Sequence, residues 1–283
     1  MLKNSLPELA LFFDLEWVPD AASSRRLFDL AEDVTEIEAM GKLWESSRQY
    51  DIATNPRPFL KYMFSRVVSI AYLSRKSVYR DGERITEFTL NSLPELPLGE
   101  DEVVDEAAII ERFLYILGRK CPQLVGYNSA DSDMQVLIQR GMIHEISAPE
   151  FCKRPDKPWE GSDYFRRWDN EDHLDMMKLF KVPQMTPRLD EFAKVLGLPG
   201  KIDVKGDQVT DLWLNREVTK IVEYNQIDVL NTYLVWLRLV HFCGKMAEEE
   251  YVMEQDLFRD FLENEAEKPA GGFIAQFLAK WPQ

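Results

Sequence analysis

The sequence predicts an α/β fold: a mixed sheet, antiparallel over strands one to three and parallel over the later strands, flanked by helices. Three observations carry this. Leu11, Phe13 and Leu15 alternate with Phe12, Asp14 and Glu16, the two-residue period of a strand. Arg66–Leu73 is a nearly continuous apolar run, and Asp81-Gly82 is a hairpin signal ahead of a returning strand at Arg84–Leu90, so the first three strands form a meander. A helical stretch at Glu102–Leu117 then precedes a short buried strand at Gln123–Asn128, which is an α/β crossover.

In chain order, strand one covers residues 10–16, and residues 20–58 follow as a charged insertion. The insertion carries a helical stretch near Glu32–Trp44 and a proline-broken end at Asn55-Pro56-Arg57-Pro58. Pro94–Gly99 is a loop, and the helix after it places Val103, Ala107, Ile110, Phe113, Leu114 and Leu117 on one face. Ser129–Ser132 turns into a helix spanning Asp133 to Met142. Residues 149–172 are polar, with cations and aromatics interleaved, and His173–Phe180 is another short apolar segment. Thr186-Pro187 reads as an N-cap with a first-turn proline, and Gly197 stops that helix. A long helix at Thr219–Phe242 and an acidic one at Met246–Glu265 lead to Pro269-Ala270-Gly271-Gly272 and a tail. The expected organisation is one domain over residues 1–245, with the insertion at 20–58, and a helical extension over residues 246–283.

Composition narrows the function. The chain has 283 residues, 45% of them hydrophobic, enough for a sizeable core, and a net charge of −15. Such a charge offers no global basic field for a polyanion, so a nucleic-acid partner must be held by metal ions, local Lys and Arg, and stacking. Cys121, Cys152 and Cys243 form no Cys-x-x-Cys, which argues against a zinc ribbon or a disulfide framework and for a reducing compartment. The first residues have too short an apolar run for a signal peptide, and no stretch approaches the roughly 18 apolar residues of a membrane span. The expectation is a soluble cytoplasmic protein.

Carboxylates hold the chemistry. Asp14 and Glu16, two apart on a strand, project side by side; such a pair repels unless solvated at an edge or bridged by a hard cation such as Mg²⁺. On the long helix, at about 100° per residue, Val222, Val229, Leu230, Tyr233 and Leu237 form one stripe, with Tyr224 and Asp228 together on the opposite side. Asp133 opens a helix just after a buried strand, where ligands gather in α/β sheets, although an acid there also caps a helix. Asp131 competes for the same place.

These motifs, Phe13-Asp14-Leu15-Glu16, then Asn128 to Asp133, then Tyr224-Asn225-Gln226-Ile227-Asp228, stand in an order that resembles the DEDD superfamily of 3′–5′ exonucleases. The likeness is to its tyrosine-bearing branch, as in the proofreading domains of family B DNA polymerases. Ser132 stands where the second motif usually carries an aromatic, and Asp133 keeps the spacing from Asn128. Leu124–Gly141, His173–Phe180, Leu189–Asp203 and Tyr224–Arg238 look more narrowly like stand-alone bacterial proteins described as predicted exonucleases related to the polymerase B proofreading domain. The resemblance covers residues 9–240. The histidine branch needs His five residues before the last Asp, and position 223 is Glu.

The resemblance implies a ribonuclease H-like fold and a two-metal phosphodiester hydrolase. Its site residues would be Asp14, Glu16, Asp133, Tyr224 and Asp228. Two Mg²⁺ or Mn²⁺ ions, about 4 Å apart, are the implied cofactors. Asp14 would bridge both, Glu16 and Asp228 would bind the one beside the attacking water, and Asp133 the other. Tyr224, with a reference pKa near 10, would orient that water, and Asn128 would contact the terminal nucleotide or else cap a turn. The implied partner is a nucleic-acid 3′ end, single-stranded DNA favoured and RNA possible, with no membrane. Beside the resemblance, the interleaved Lys153, Arg154, Lys157, Trp159, Arg166, Arg167 and Trp168 suit single-strand contacts or else form a solvated loop with its Trp side chains packed inward, and Lys181, Arg188, Lys201 and Lys205 add local positive charge. Phe273, Ile274, Phe277, Leu278 and Trp281 share a face that packs on the domain or docks elsewhere. A second reading is a catalytically inactive ribonuclease H-like module that binds nucleic acid or protein; a third is a hydrolase of small nucleotides.

Overall fold

A computed structural model describes residues 2, 5–80, 83–99, 103–157, 160–166, 171–202 and 206–281, with the backbone alone at 79–80, 83–84 and 207. The Asp81-Gly82 turn, Glu102, Trp159, Arg167, Trp168 and Lys205 lie outside the described residues. Strand β1 (Leu9–Pro19) is followed by helices α1 (Ala21–Phe28) and α2 (Glu36–Glu45), then by strands β2 (Ser65–Arg80) and β3 (Glu83–Leu93). Helix α3 (Glu106–Lys120), strand β4 (Gln123–Gly126), helices α4 (Asp133–Ile143) and α5 (Pro149–Cys152), and strand β5 (His173–Asp175) come next. Helices α6 (Met176–Phe180), α7 (Leu189–Val195), α8 (Val209–Leu214), α9 (Val218–Phe242), α10 (Glu248–Ala266) and α11 (Gly272–Lys280) complete the order.

The five strands form one sheet in the order β3-β2-β1-β4-β5. Pairing is antiparallel for β1 with β2 and β2 with β3, and parallel for β1 with β4 and β4 with β5. The mixed sheet flanked by helices predicted from the meander and the crossover is thus present, with β1 at its centre. Among the described residues no helix is long and apolar enough to cross a membrane.

Alternation along β1 divides the core. Leu11, Phe13 and Leu15 pack with Met40 and Trp44 of α2, Phe113 of α3 and Leu137 of α4. Ala10 and Phe12 face the opposite side, where Tyr233 and Trp236 of α9 meet the Phe12 ring edge-on at 5.1 Å each. Asp14 and Glu16 share the parity of Phe12, so they too face α9. The register slips between Glu16 and Trp17, and Val18, although even-numbered, joins the α2–α3 side. The bulge ends the row of α9-facing side chains just after the second carboxylate.

Helix α9 departs from the single apolar stripe read from its sequence. It is buried nearly all round from Ile221 to Val240, because the sheet lies on one side and α7, α8, α10 and α11 pack around the rest. The face bearing Tyr224 and Asp228 is therefore buried against β1. Phe258, Phe277 and Trp281 join Tyr233 in the same apolar cluster, so the aromatic face of the tail is covered by its own chain. Arg75 of β2, 1% exposed, forks onto Glu254 of α10 at 2.5 and 2.6 Å, and Tyr233 Oη donates to the same carboxylate at 2.9 Å.

The starts of α3 and α7 fall later than predicted, each for a local reason. Asp105 caps α3 by accepting the Ala108 N–H at 3.1 Å, so α3 begins at Glu106. The Thr186 hydroxyl is used in a turn with Val182, accepting its N–H at 3.1 Å and donating to its carbonyl at 2.9 Å, so α7 begins only at Leu189.

Candidate active site

Strand β4 pairs with β1 only over Ala10–Phe12, and then turns away. The backbone of β1 beyond Phe12 needs new partners on that side. Leu15 finds one in the first residue of α4: its N–H donates to Asp133 Oδ1 at 3.1 Å. The Ser132 hydroxyl lies 2.5 Å from Asp133 Oδ2. These contacts pin a 3% exposed carboxylate beside Asp14 and Glu16. Asp131 points elsewhere, to Lys178 at 2.9 Å and Lys181 at 3.4 Å. The turn that aims α4 is itself held by Asp175, which accepts the Asn128 N–H at 2.8 Å and the Ala130 N–H at 3.1 Å. Asn128 has φ +66°, a left-handed conformation that Asn tolerates better than most residues. Its carbonyl accepts the Asp131 and Ser132 N–H groups, so its backbone builds the turn and its side chain is half-buried.

The helix side completes the cluster. Ligand oxygens of Asp14, Glu16 and Asp228 all lie within 4.8 Å of one another. Asn225, fully buried, donates from Nδ2 to Asp14 Oδ2 at 2.7 Å and accepts from the Ser69 hydroxyl at 2.8 Å. Asp228 Oδ1 is buried and has no hydrogen-bond partner, while Oδ2 lies 3.5 Å from Lys201 Nζ. Lys201 Nζ also donates to Tyr224 Oη, and it sits 4.5 Å from the centre of that ring. Asn225 and Lys201 are the members that the motif reading missed as site-formers. The Asn lies within the Tyr-to-Asp span, and the sequence offers the Lys only as local charge.

Three histidines are occupied away from the cluster. His144 contacts Glu106 at 2.7 Å, His173 contacts the Ser129 hydroxyl at 2.8 Å, and His241 stacks on Tyr251. In the 149–172 segment, Phe151 and Tyr164 are buried, Arg154 pairs with Asp163 at 3.0 Å, and Tyr164 Oη donates to the Pro122 carbonyl at 2.7 Å.

Electrostatics follow from packing four carboxylates together. Burial pushes Asp14 well above the usual carboxylate range, Asp133, Glu16 and Asp228 add to the rise, and Lys201 opposes it. Glu16 rises for the same reasons, burial first and Asp228 next. The edge that Asp14 and Glu16 each keep open to solvent tempers the effect. Burial takes Asp133 to about 7, against the hydrogen bonds from Ser132 and Leu15 that favour its charged form. Asp228 is raised by burial, with Lys201 pulling it back. Burial and then the Glu16, Asp228 and Asp14 carboxylates drive the Tyr224 phenol far upward, so it stays protonated.

A pH dependence follows. Unfolded carboxylates titrate near 4, whereas these four hold protons to higher pH when folded. Above pH ~4 the folded state therefore binds more protons than the unfolded one, and stability falls as pH rises towards the folded values. In chelator, thermal unfolding is expected at a higher temperature at pH 5.5 than at pH 7.5, and added Mn²⁺ at pH 7.5 should recover the difference. A flat profile from pH 5.5 to 7.5 would contradict the clustering.

The donor set fits hard divalent cations: three oxygen ligands converge, and one buried carboxylate oxygen lacks any protein partner. A mixed sheet with carboxylates on its central strand and a long helix laid across them is a ribonuclease H-like exonuclease fold. A family model described as a predicted 3′-5′ exonuclease related to the exonuclease domain of PolB matches residues 57–281. The chain belongs to that family. No curated protein matches the chain. The matched span starts beyond β1, so the fold alone brings Asp14 and Glu16 to the residues of α4 and α9.

Proposed function

We propose that the protein is a metal-dependent 3′–5′ exonuclease of the tyrosine-bearing DEDD type, acting on single-stranded DNA in preference to RNA. The observation that carries this is the meeting of Asp14, Glu16, Asp133 and Asp228, from one strand and two helices, beside Tyr224. Asp14, Glu16 and Asp228 would hold one Mg²⁺ or Mn²⁺, and Asp14 with Asp133 a second. When bound, such ions supply charge neutralisation at the phosphodiester and activation of water. The chain's own groups do the positioning. Tyr224, kept protonated, orients the attacking water and does not remove its proton. Asn225 fixes the Asp14 carboxylate through Nδ2, and Ser69 fixes Asn225. Asn128, at the turn before α4, would meet the terminal nucleotide.

Residues 1–245 form the catalytic unit in this reading, and in the extension over residues 246–283 helices α10 and α11 pack against α9. DNA is preferred because the family is defined by likeness to a DNA polymerase's exonuclease domain. The three cysteines, none of them in a disulfide, fit a cytoplasmic setting.

The test is incubation with 3′- and 5′-labelled single strands of DNA and RNA, in Mg²⁺ or Mn²⁺ against chelator. The expected result is cation-dependent loss of the 3′ label as mononucleotide, with stepwise shortening of 5′-labelled DNA. Absence of cation-dependent products, or cutting from the 5′ end, would contradict the proposal.

A further inference from the structure

We propose that a cavity at the far end of β3 is a binding site for an uncharged nucleobase or nucleoside, separate from the carboxylate cluster. The inference stands without the nuclease reading. The cavity measures about 270 Å³ and lies between β3, α9 and the turn joining α10 to α11. That is the lower end of the range for small-molecule sites, so it suits one ring with its sugar and not a strand. Ser92 pairs with Ala71, and Ala71 with Asp14, so the cavity lies two strands away from the cluster. Ser92 of β3 and Gln226 of α9 line it, 2% and 6% exposed. The Ser92 hydroxyl is buried with no hydrogen-bond partner. A hydroxyl left so is costly, and a polar group on a ligand would satisfy it. Among the described residues the carboxamides of Gln226 and Asn91, which also lines the cavity, have no hydrogen-bond partner either. A carboxamide presents a donor and an acceptor side by side, which matches the edge of a nucleobase.

The walls are apolar and set by the fold. Leu90 and Leu96, from β3 and the loop after it, and Phe273 and Ile274 of α11 all belong to the apolar layer around α9. Such walls favour the faces of a flat ring. The turn that closes the cavity is fixed as well. The Gly271 N–H donates to the Lys268 carbonyl at 2.8 Å, and a Cβ at Gly271 would run into the Glu265 and Ala266 carbonyls. The charges at the cavity disfavour a phosphate. Lys268 Nζ is held by both Glu265 oxygens, at 2.6 and 2.7 Å, and Glu95 adds a second carboxylate. A phosphate would therefore meet two like charges and one ammonium group that is already paired. The site thus rejects the mononucleotide that the proposed reaction releases, and accepts the same ring without its phosphate.

The experiment titrates the full chain with adenosine, guanosine, cytidine and thymidine, and with their 5′-monophosphates, by calorimetry. Chelator is present throughout, so that no cation draws a phosphate to the carboxylate cluster. At least one nucleoside should bind saturably, and its monophosphate should bind at least about tenfold more weakly, as expected for like charge a few ångströms away at intermediate dielectric. Ser92→Ala and Gln226→Leu should each weaken nucleoside binding about three- to tenfold, the scale of one lost hydrogen bond. Ala270→Trp puts a large ring at the cavity lining and should abolish binding. If Ala270→Trp does not fold, Ser92→Ala carries the test, because it removes only a hydroxyl that has no partner. Three results overturn the proposal: no nucleoside binds; a nucleoside binds equally well to the wild type, Ser92→Ala and Gln226→Leu, which puts it elsewhere; or the monophosphate binds as tightly as its nucleoside. None of these bears on cleavage of a labelled strand, so the nuclease reading stands or falls separately.

Discussion

Asp14→Asn is expected to lose hydrolysis on the order of 10³-fold, the scale of removing one preorganised electrostatic contact from a reacting centre. The same variant is expected to melt higher than the wild type when cations are absent. Asp14 is surrounded by three other carboxylates, and burial disfavours its charge before their repulsion is added. Asparagine keeps the shape and the acceptor for Asn225 Nδ2, which now donates at 2.7 Å to Asp14 Oδ2, while removing the charge. A gain of about 1–2 kcal/mol is reasonable for relieving such strain, or a few degrees in Tm for a chain of this size. Thermal unfolding in chelator alongside cleavage of a labelled strand checks both halves. Loss of activity together with a lower Tm would mark Asp14 as a structural support and not a functional charge.

Arg140→Met is expected to cost about 3–5 kcal/mol, because it strips the partner from buried carboxylates. Arg140 is 1% exposed on α4. Its Nε and Nη2 donate to Glu106 at 2.7 and 2.6 Å, and its Nη1 to Asp20 at 2.8 Å and to the Met63 carbonyl at 3.0 Å. Glu106 also accepts the Val67 N–H at 2.7 Å. One guanidinium therefore ties α4 to α3, to the end of β1, to the turn before β2 and, through Glu106, to β2. Methionine fills similar volume but leaves Glu106 and Asp20 buried without a cation. The loss should lower Tm on the order of 10 °C. Adding Glu106→Gln and Asp20→Asn to Arg140→Met should recover part of it, since no orphaned charge then remains. Because Asp133 opens the same helix, the single variant should also lose activity beyond its loss of folded fraction. A cost below about 1 kcal/mol in denaturant unfolding would mean that water already shares the pocket with these charges.

What could be read in the sequence was what is local. The period of two along Leu11–Glu16 put Asp14 and Glu16 on one face, and the four-residue spacing of Tyr224 and Asp228 put them on one turn of helix. The meander and the crossover followed from turn and periodicity signals within a few residues of each other. Which face of β1 would meet which face of α9 was not legible. That depends on Phe12 finding Tyr233 and Trp236, more than two hundred residues along the chain. The same holds for Asn225 on Asp14, Arg75 on Glu254 and Arg140 on Asp20, pairs separated by 211, 179 and 120 residues. Periodicity predicted one buried stripe on α9 because it cannot register neighbours on every side. The start of α7 was misplaced because Thr186 has a competing use in the turn with Val182. Spacing from Asn128 favours Asp133 but leaves Asp131 in competition; the loss of β4 as a partner for Leu15 separates them in space.

Calorimetric titration of the metal-free protein with Mn²⁺, without nucleic acid, tests most directly whether these carboxylates share cations. Saturable binding is predicted for the wild type, weakened at least about tenfold in each of Asp14→Asn, Glu16→Gln and Asp228→Asn, as expected when a ligand charge a few ångströms away is removed. Identical titrations for the wild type and all three variants would contradict the account.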